Sequence, residues 1–140
     1  MLGAASFAIA GPTIEPLHEA DIQYGCGCSF HVPFAAGDKG DMVLQWEMDS
    51  PATLRVDKRV EKLKVVELRK RVLDQWPEQV GDKSMFLLTG KAVKARVENT
   101  AIEVCKPEDE SCEVTYYRSR ITVTTRSGTK VLNAWGNCGC

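Results

Sequence analysis

The sequence contains few histidines and lacks several common catalytic and phosphate-binding motifs. Only two of its 140 residues are histidines, and it has neither a thioredoxin-type Cys-x-x-Cys pair nor a glycine-rich phosphate loop of standard spacing. The net charge is −1, so the protein does not have the excess of basic residues that is typical of dedicated nucleic-acid binders. Nucleic acid is therefore not an expected partner. No apolar run reaches the roughly 20 residues of a membrane-spanning helix. With no catalytic constellation in view, we expect a protein that is not an enzyme.

The first ten residues, MLGAASFAIA, are small and apolar, and AIA at 8–10 fits the pattern that precedes a signal-peptidase site. The charged start of such a signal is missing, because the first basic residue is Lys39. We interpret residues 1–10 as the remnant of an export signal, with an apolar strand or tail as the alternative. Residues 11–28 then form an N-terminal extension and residues 29–140 a single β-rich domain. This interpretation predicts a periplasmic or secreted protein.

Beyond residue 28 apolar residues recur with a period of two, as in LQWEM at 44–48 and VKARV at 93–97. Such alternation is typical of strands with one face on a core and one in water. Turn sequences separate these runs: AAGDKGD at 35–41, DSP at 49–51, VGDKS at 80–84, KPEDES at 106–111 and RSGT at 126–129. The pattern predicts an all-β fold, a single-domain antiparallel sandwich or barrel of about seven or eight strands.

Three local features complicate this pattern. Leu68, Val72 and Trp76 are four residues apart and Pro77 follows, which allows one short helix near 68–76. The parity of the apolar residues changes between Val97 and Ile102, and again between residues 116 and 121. Each change predicts a β-bulge.

Six cysteines suggest a disulfide framework in an exported protein. Cys105 and Cys112 flank KPEDES, and a hairpin there would bring their Cβ atoms within bridging distance. The other four form two Cys-x-Cys pairs, Cys26 with Cys28 and Cys138 with Cys140. Side chains at i and i+2 of a strand point the same way, so adjacent first and last strands would allow two bridges between the pairs. Their connectivity stays open.

A metal site is the main alternative for the same residues. Four thiolates from Cys26, Cys28, Cys138 and Cys140 would suit Zn²⁺ or Cu(I), and His31 would be able to replace one of them. The one-residue spacing is shorter than that of most structural zinc sites, so disulfides without a cofactor are preferred. By strand parity His31 faces away from the core, whereas Trp46, Trp76 and Trp135 are expected inside it.

Charge is unevenly distributed. Residues 55–71 have eight basic and three acidic side chains, whereas residues 98–113 have six acidic side chains and one lysine. The basic stretch would be able to bind a protein or an anionic surface, although solvated faces that complement each other within the fold are the simpler explanation.

Together these observations predict a small exported β-domain, held by disulfides, that acts as a binding or structural module. A Cys-based metal-binding protein is the first alternative, and an enzyme without a recognisable motif is the second.

Overall fold

The structure is a computed structural model and describes residues 11–33, 40–69, 78–106 and 108–140. The proposed signal remnant 1–10 therefore lies outside the described residues. Within the described part the chain forms nine strands and one turn of 3-10 helix at Glu19–Asp21. The strands are β1 (Ile14–Glu15), β2 (Gly27–Val32), β3 (Asp41–Glu47), β4 (Ala52–Val56), β5 (Arg59–Arg69), β6 (Lys83–Thr89), β7 (Lys94–Glu103), β8 (Val114–Thr125) and β9 (Gly128–Gly139).

Strands β2 to β9 form a closed antiparallel barrel in which each strand pairs with the next along the chain. The ring closes because β9 also pairs with β2, through positions 27–31 and 135–139. Closure removes the exposed sheet edges that an open sheet would present to other chains. The all-β prediction is confirmed, and its barrel alternative is the observed one.

Alternation of buried and exposed residues forms the barrel core. On β8, Tyr117, Ser119, Ile121 and Val123 are buried, whereas the residues between them are exposed or half-buried. The interior is filled by large side chains with no accessible surface, namely Phe30, Leu44, Leu54, Leu63, Leu88, Val97 and Ile121. Burial of each such side chain contributes about 1.5–3 kcal/mol to the stability of the fold.

One of the two expected bulges is present. The register between β7 and β8 shifts between Ala101 and Glu103, which turns Ile102 outward and leaves it 45% exposed. The second expectation, a change of parity between residues 116 and 121, was wrong. Tyr117 rather than Tyr116 faces the interior, so the buried positions of β8 continue without interruption to Ile121.

The segment before β2 completes the barrel wall between β3 and β4. These two strands pair only at Leu44–Leu54 and Gln45–Thr53. Strand β1 pairs with the next residues of β4, Arg55 and Val56, and the Leu17 amide donates to the Met42 carbonyl at 2.8 Å. Residues 11–28 thus supply β1 and the first two residues of β2 to the sheet.

Side-chain bonds hold this segment against the outer face of β3 and β4. Arg55 donates Nε–H and Nη2–H bonds to the two carboxylate oxygens of Asp21, at 2.6 and 3.2 Å. The Gln23 amide donates to Gln45 Oε1 at 2.9 Å, and Gln45 Nε2 donates to the Gln23 carbonyl. Leu44 faces the core, and its neighbour Val43, on the opposite face of β3, is also fully buried. Both faces of β3 are therefore covered.

The helix considered near 68–76 falls mostly outside the described residues. Leu68 and Arg69 belong to β5, and residues 70–77 are not described.

Asp57 and Lys58 join β4 to β5 and have positive φ angles, 49° and 65° respectively, as expected of the two-residue type I′ turn that suits a twisted hairpin. Among the described residues, no helix has the length and apolar character needed to cross a bilayer.

Candidate functional site

The two Cys-x-Cys pairs lie side by side where β9 closes the barrel against β2. Cys28 is directly opposite Cys138, and disulfides join Cys26 to Cys140 and Cys28 to Cys138. The Cα–Cα distances are 4.3 and 4.1 Å. Two covalent links therefore stabilise the seam between the first and last barrel strands. The pairing that the sequence left open is nested: the outer cysteines, Cys26 and Cys140, are joined, and so are the inner ones, Cys28 and Cys138.

The third bridge, Cys105–Cys112, closes the loop between β7 and β8, with a Cα–Cα distance of 5.4 Å. Both Sγ atoms lie near the Val114 carbonyl oxygen, at 3.6 and 3.8 Å. All six cysteines are therefore disulfide-bonded, as the count and spacing led us to expect.

The metal alternative requires thiolates, and in this structure the sulfurs of Cys26, Cys28, Cys138 and Cys140 are joined in pairs. In the part of the chain that is described, no three His, Cys, Asp or Glu side chains converge as a metal site requires. A disulfide supplies no anionic sulfur, so metal ligation by these residues would need a reduced protein.

His31 lies on the outer face of β2, where it is half-buried and stacks on Trp135 of β9 with ring centroids 4.0 Å apart and planes 8° from parallel. Burial lowers the pKa of the imidazole below its usual range, against a smaller opposite effect of the Asp41 carboxylate. Nδ1 is buried and has no hydrogen-bond partner among the described residues. The neutral imidazole therefore acts as a packing surface for the indole ring.

The tryptophans are distributed differently from the sequence expectation. Trp46 is in the core, 7% exposed, between Phe30 and Phe86. Trp135 is 36% exposed on the outer face, so its assignment to the core was wrong. The inner position beside it is Gly136, where an added Cβ would lie 2.5 Å from the Phe30 ring. Trp76 lies outside the described residues.

A groove of about 780 Å³ opens beside β5. It forms because β5 changes partners halfway along its length. Residues 59–63 pair with β4, whereas residues from Lys64 onward pair with β6. The turn between β3 and β4 lies across from the second half of β5. Its lining comprises Trp46, Met48, Asp49, Ser50, Pro51, Lys62, Lys64, Val65, Glu67, Phe86, Thr89, Gly90 and Lys91.

The groove combines an apolar interior with a charged rim. Trp46, Val65 and Phe86 pack against the barrel core, and the rings of Trp46 and Phe86 meet edge to face at 5.1 Å. The charged lining residues are three lysines, Lys62, Lys64 and Lys91, with two carboxylates, Asp49 and Glu67. Lys62 Nζ donates to Thr53 Oγ1 at 2.6 Å. The volume falls within the range of about 300–1,000 Å³ that is common for small-molecule sites.

The basic stretch that the sequence singled out contributes to this groove through Lys62 and Lys64. The ion pairs within the described residues are Arg55–Asp21 and Arg96–Glu98. Neither joins the basic stretch 55–71 to the acidic stretch 98–113. Among the described residues, no ion pair supports the idea that these two surfaces complement each other within the fold.

The groove was not predicted from the sequence. The sequence predicts strands and turns at the two sides of the groove, 46–51 and 62–67. The groove itself depends on where β5 exchanges β4 for β6, and this strand register cannot be read from a local sequence pattern. The lysines at positions 62 and 64 were the one available signal, because i and i+2 residues of a strand share a face.

Comparison of the chain with protein-family profiles, with curated proteins and with solved structures gives no match. The proposed function therefore rests on the fold and the groove.

Proposed function

We propose that the protein is an exported binding module whose groove holds a small apolar molecule with an anionic head group. The observation that carries the proposal is the lining of the groove, in which three lysines border an apolar surface made by Trp46, Val65 and Phe86. The apolar surface would remove the ligand's hydrocarbon part from water, at about 25 cal/mol per Å². The ammonium groups would bind its head group by charge-assisted hydrogen bonds.

The charge balance of the groove favours an anion modestly. Lys62, Lys64 and Lys91 exceed the two carboxylates, Asp49 and Glu67, by one positive charge. A long-chain carboxylate satisfies both parts of the lining, whereas a cationic amphiphile of the same length would face the lysines. Head-group charge is therefore the property that a binding experiment should vary.

The disulfides support a role outside the cytoplasm. Three bridges are compatible with an extracellular location, because disulfides persist in oxidising compartments. A covalently closed seam also keeps β2 and β9 together, so the groove is carried by a scaffold whose ends are fixed. A preorganised site loses less entropy when it binds.

The test is calorimetric titration of the oxidised protein with decanoate, decanol and decyltrimethylammonium, all below their aggregation limits. We expect saturable decanoate binding that is stronger than that of the cation. Lys62→Gln with Lys64→Gln should weaken decanoate binding about tenfold, which corresponds to 1.4 kcal/mol. Lys130→Gln is the matched control, because Lys130 is exposed and absent from the groove lining.

Two results would refute the proposal. One is the absence of saturable binding for all three decyl compounds. The other is equal binding of decanoate by the double variant, the control and the unmodified chain. Stronger binding of the cation than of decanoate would likewise overturn the head-group assignment.

A further inference from the structure

The outer face of strands β6 to β9 carries a second set of polar and charged side chains, none of which lines the groove. Cross-strand pairing places one row of outward residues side by side. This row runs Lys83, Thr100, Arg118, Trp135 and His31, from β6 across to β2. Arg120 lies two residues from Arg118 on β8, and side chains at i and i+2 point to the same face.

The face is not flat. A recess of about 280 Å³ lies between β6, β7 and β8, with one residue from β9. Its lining comprises Lys83, Ser84, Met85, Glu98, Asn99, Thr100, Arg118, Ser119, Arg120 and Asn133. Ser119 and Asn99 point inward, where Ser119 Oγ donates to Asn99 Oδ1 at 2.6 Å. The side chains available to a ligand are therefore those of the alternate, outward positions.

Positive charge dominates these outward positions. Lys83, Arg118 and Arg120 line the recess with a single carboxylate, that of Glu98. Glu98 is itself ion-paired with Arg96, whose Nε lies 3.2 Å from Glu98 Oε1. Two arginines on adjacent outward positions offer planar forks that bind carboxylate or sulfate groups through paired hydrogen bonds. Thr100 lies between Lys83 and Arg118 and Asn133 lies beside Arg120, so both add neutral hydrogen-bonding groups to the recess.

Trp135 extends this surface beside the arginines. It is directly opposite Arg118 in the β8–β9 pair and is 36% exposed. The stacked His31 ring, 4.0 Å away, fixes the plane of the indole. The exposed part of a ring held in this way offers apolar surface to a sugar ring at low entropic cost.

We propose that this face binds an acidic polysaccharide, with its carboxylates or sulfates on Lys83, Arg118 and Arg120 and a sugar ring against Trp135. The Thr100 hydroxyl between Lys83 and Arg118, and the Asn133 amide beside Arg120, match a ligand that carries both acid groups and hydroxyls. A single aromatic residue provides no track for successive nucleotide bases, which bind single-strand proteins through several stacked rings. The proposal uses outward residues and does not depend on the groove, whose β6 contribution includes the inward Phe86.

The experiment is affinity electrophoresis and calorimetry of the full oxidised chain with polygalacturonate. Neutral dextran, poly(dT) and vesicles of anionic phosphatidylglycerol are the comparison probes. We expect binding to polygalacturonate that exceeds binding to all three. Arg118→Gln with Arg120→Gln should weaken it at least tenfold, whereas Glu98→Gln should strengthen it by removing the carboxylate in the recess. Trp135→Leu should also weaken it, and thermal melts would establish that each variant is folded.

The matched control is Arg126→Gln with Lys130→Gln, which removes the same charge from exposed positions in and beside the β8–β9 turn. This control should change the dissociation constant less than twofold. Equal weakening by both double variants would mean attraction to net charge and would overturn the site. Tighter binding of poly(dT) or the vesicles would replace the polysaccharide with that ligand, and absence of binding would reject the proposal.

Discussion

Gly27 and Gly139 lie directly opposite each other in the β2–β9 pair, and each is the central residue of a Cys-Gly-Cys sequence. A Cβ at position 27 would overlap the main-chain oxygen of Trp46, and one at position 139 would overlap that of Glu113. The cysteines on either side turn toward the seam, so the residue between them faces neighbouring backbone. Two adjacent disulfides fit this seam because the intervening residue has no side chain.

Substitution of Gly27 should therefore destabilise the fold more than its size suggests. We expect Gly27→Ala to lower the free energy of unfolding by about 3 kcal/mol, since the strand backbone has to move. Gly25→Ala is the control, because its Cβ would meet only the end of the flexible Glu47 side chain, and it should cost less than about 1 kcal/mol. Urea denaturation measures both. Similar costs for the two variants would contradict this account of the motif.

The seam disulfides should show strong non-additivity. Cys26–Cys140 and Cys28–Cys138 span 114 and 110 residues, so either one alone imposes most of the restriction on the unfolded chain. Removal of one pair by Cys→Ala substitution should cost little beyond local packing, whereas removal of both should cost about 4–5 kcal/mol more.

Thermal melts of the two double variants and the quadruple variant test this expectation. Loss of Cys105–Cys112, which closes a span of only seven residues, is the comparison and should cost about 2–3 kcal/mol. Additive losses from the two seam bridges would contradict the view that either bridge alone imposes most of the restriction on the unfolded chain.

The strand pattern and the cysteine arrangement were predictable because both follow from the period of two. Val93, Ala95 and Val97 are buried in alternation as expected, and the same periodicity places Cys26 with Cys28 on one face. The assignment of Trp135 failed because the apolar residues of β9 do not alternate in the sequence, although burial along the strand does. Its inner position at 136 is a glycine whose space the Phe30 ring occupies, and that contact is between distant parts of the chain.

The groove, and the outer face that carries Lys83, Arg118 and Arg120, were not predictable from the sequence for a related reason. The groove depends on where β5 exchanges β4 for β6 as its partner. The outer face combines Lys83 from β6 with Arg118 and Arg120 from β8, which are 35 or more positions apart in the sequence. Counting charges along a continuous stretch of sequence does not reveal a surface that is formed by alternate residues of several strands.

The Arg55–Asp21 pair should make stability depend on pH in the acid range. The hydrogen bond from Arg55 holds the pKa of Asp21 below its usual value in the folded protein, so the folded state favours the ionised carboxylate. Its contribution is complete above the unfolded-state pKa of about 3.9 and is lost as the pH falls through the lower folded-state pKa. At pH 7, Asp21→Asn should cost about 1–2 kcal/mol.

The measurement is the free energy of unfolding of the unmodified chain and of Asp21→Asn, taken between pH 2 and pH 7 in steps of about one pH unit. The difference between the two follows the contribution of the pair across the titration range. The two curves should converge at the acid end. Glu19→Gln, in the same exposed turn, is the control and should change stability by less than about 0.5 kcal/mol. A difference between the Asp21 variant and the unmodified chain that stays constant with pH would rule out the linkage.

The covalent state of the six cysteines decides between the disulfide framework and the metal alternative. Intact mass, measured after alkylation without reductant, should show no alkylated cysteine and a mass lower by six hydrogens than that of the reduced chain, because all six sulfurs are bridged. Native spectra should show the protein without a bound metal ion. Four alkylated cysteines, with Zn²⁺ or Cu(I) retained only under native conditions, would instead assign Cys26, Cys28, Cys138 and Cys140 to a metal centre. Stability would then fall with a chelator rather than with a reductant, because formation of such a site is coupled to folding.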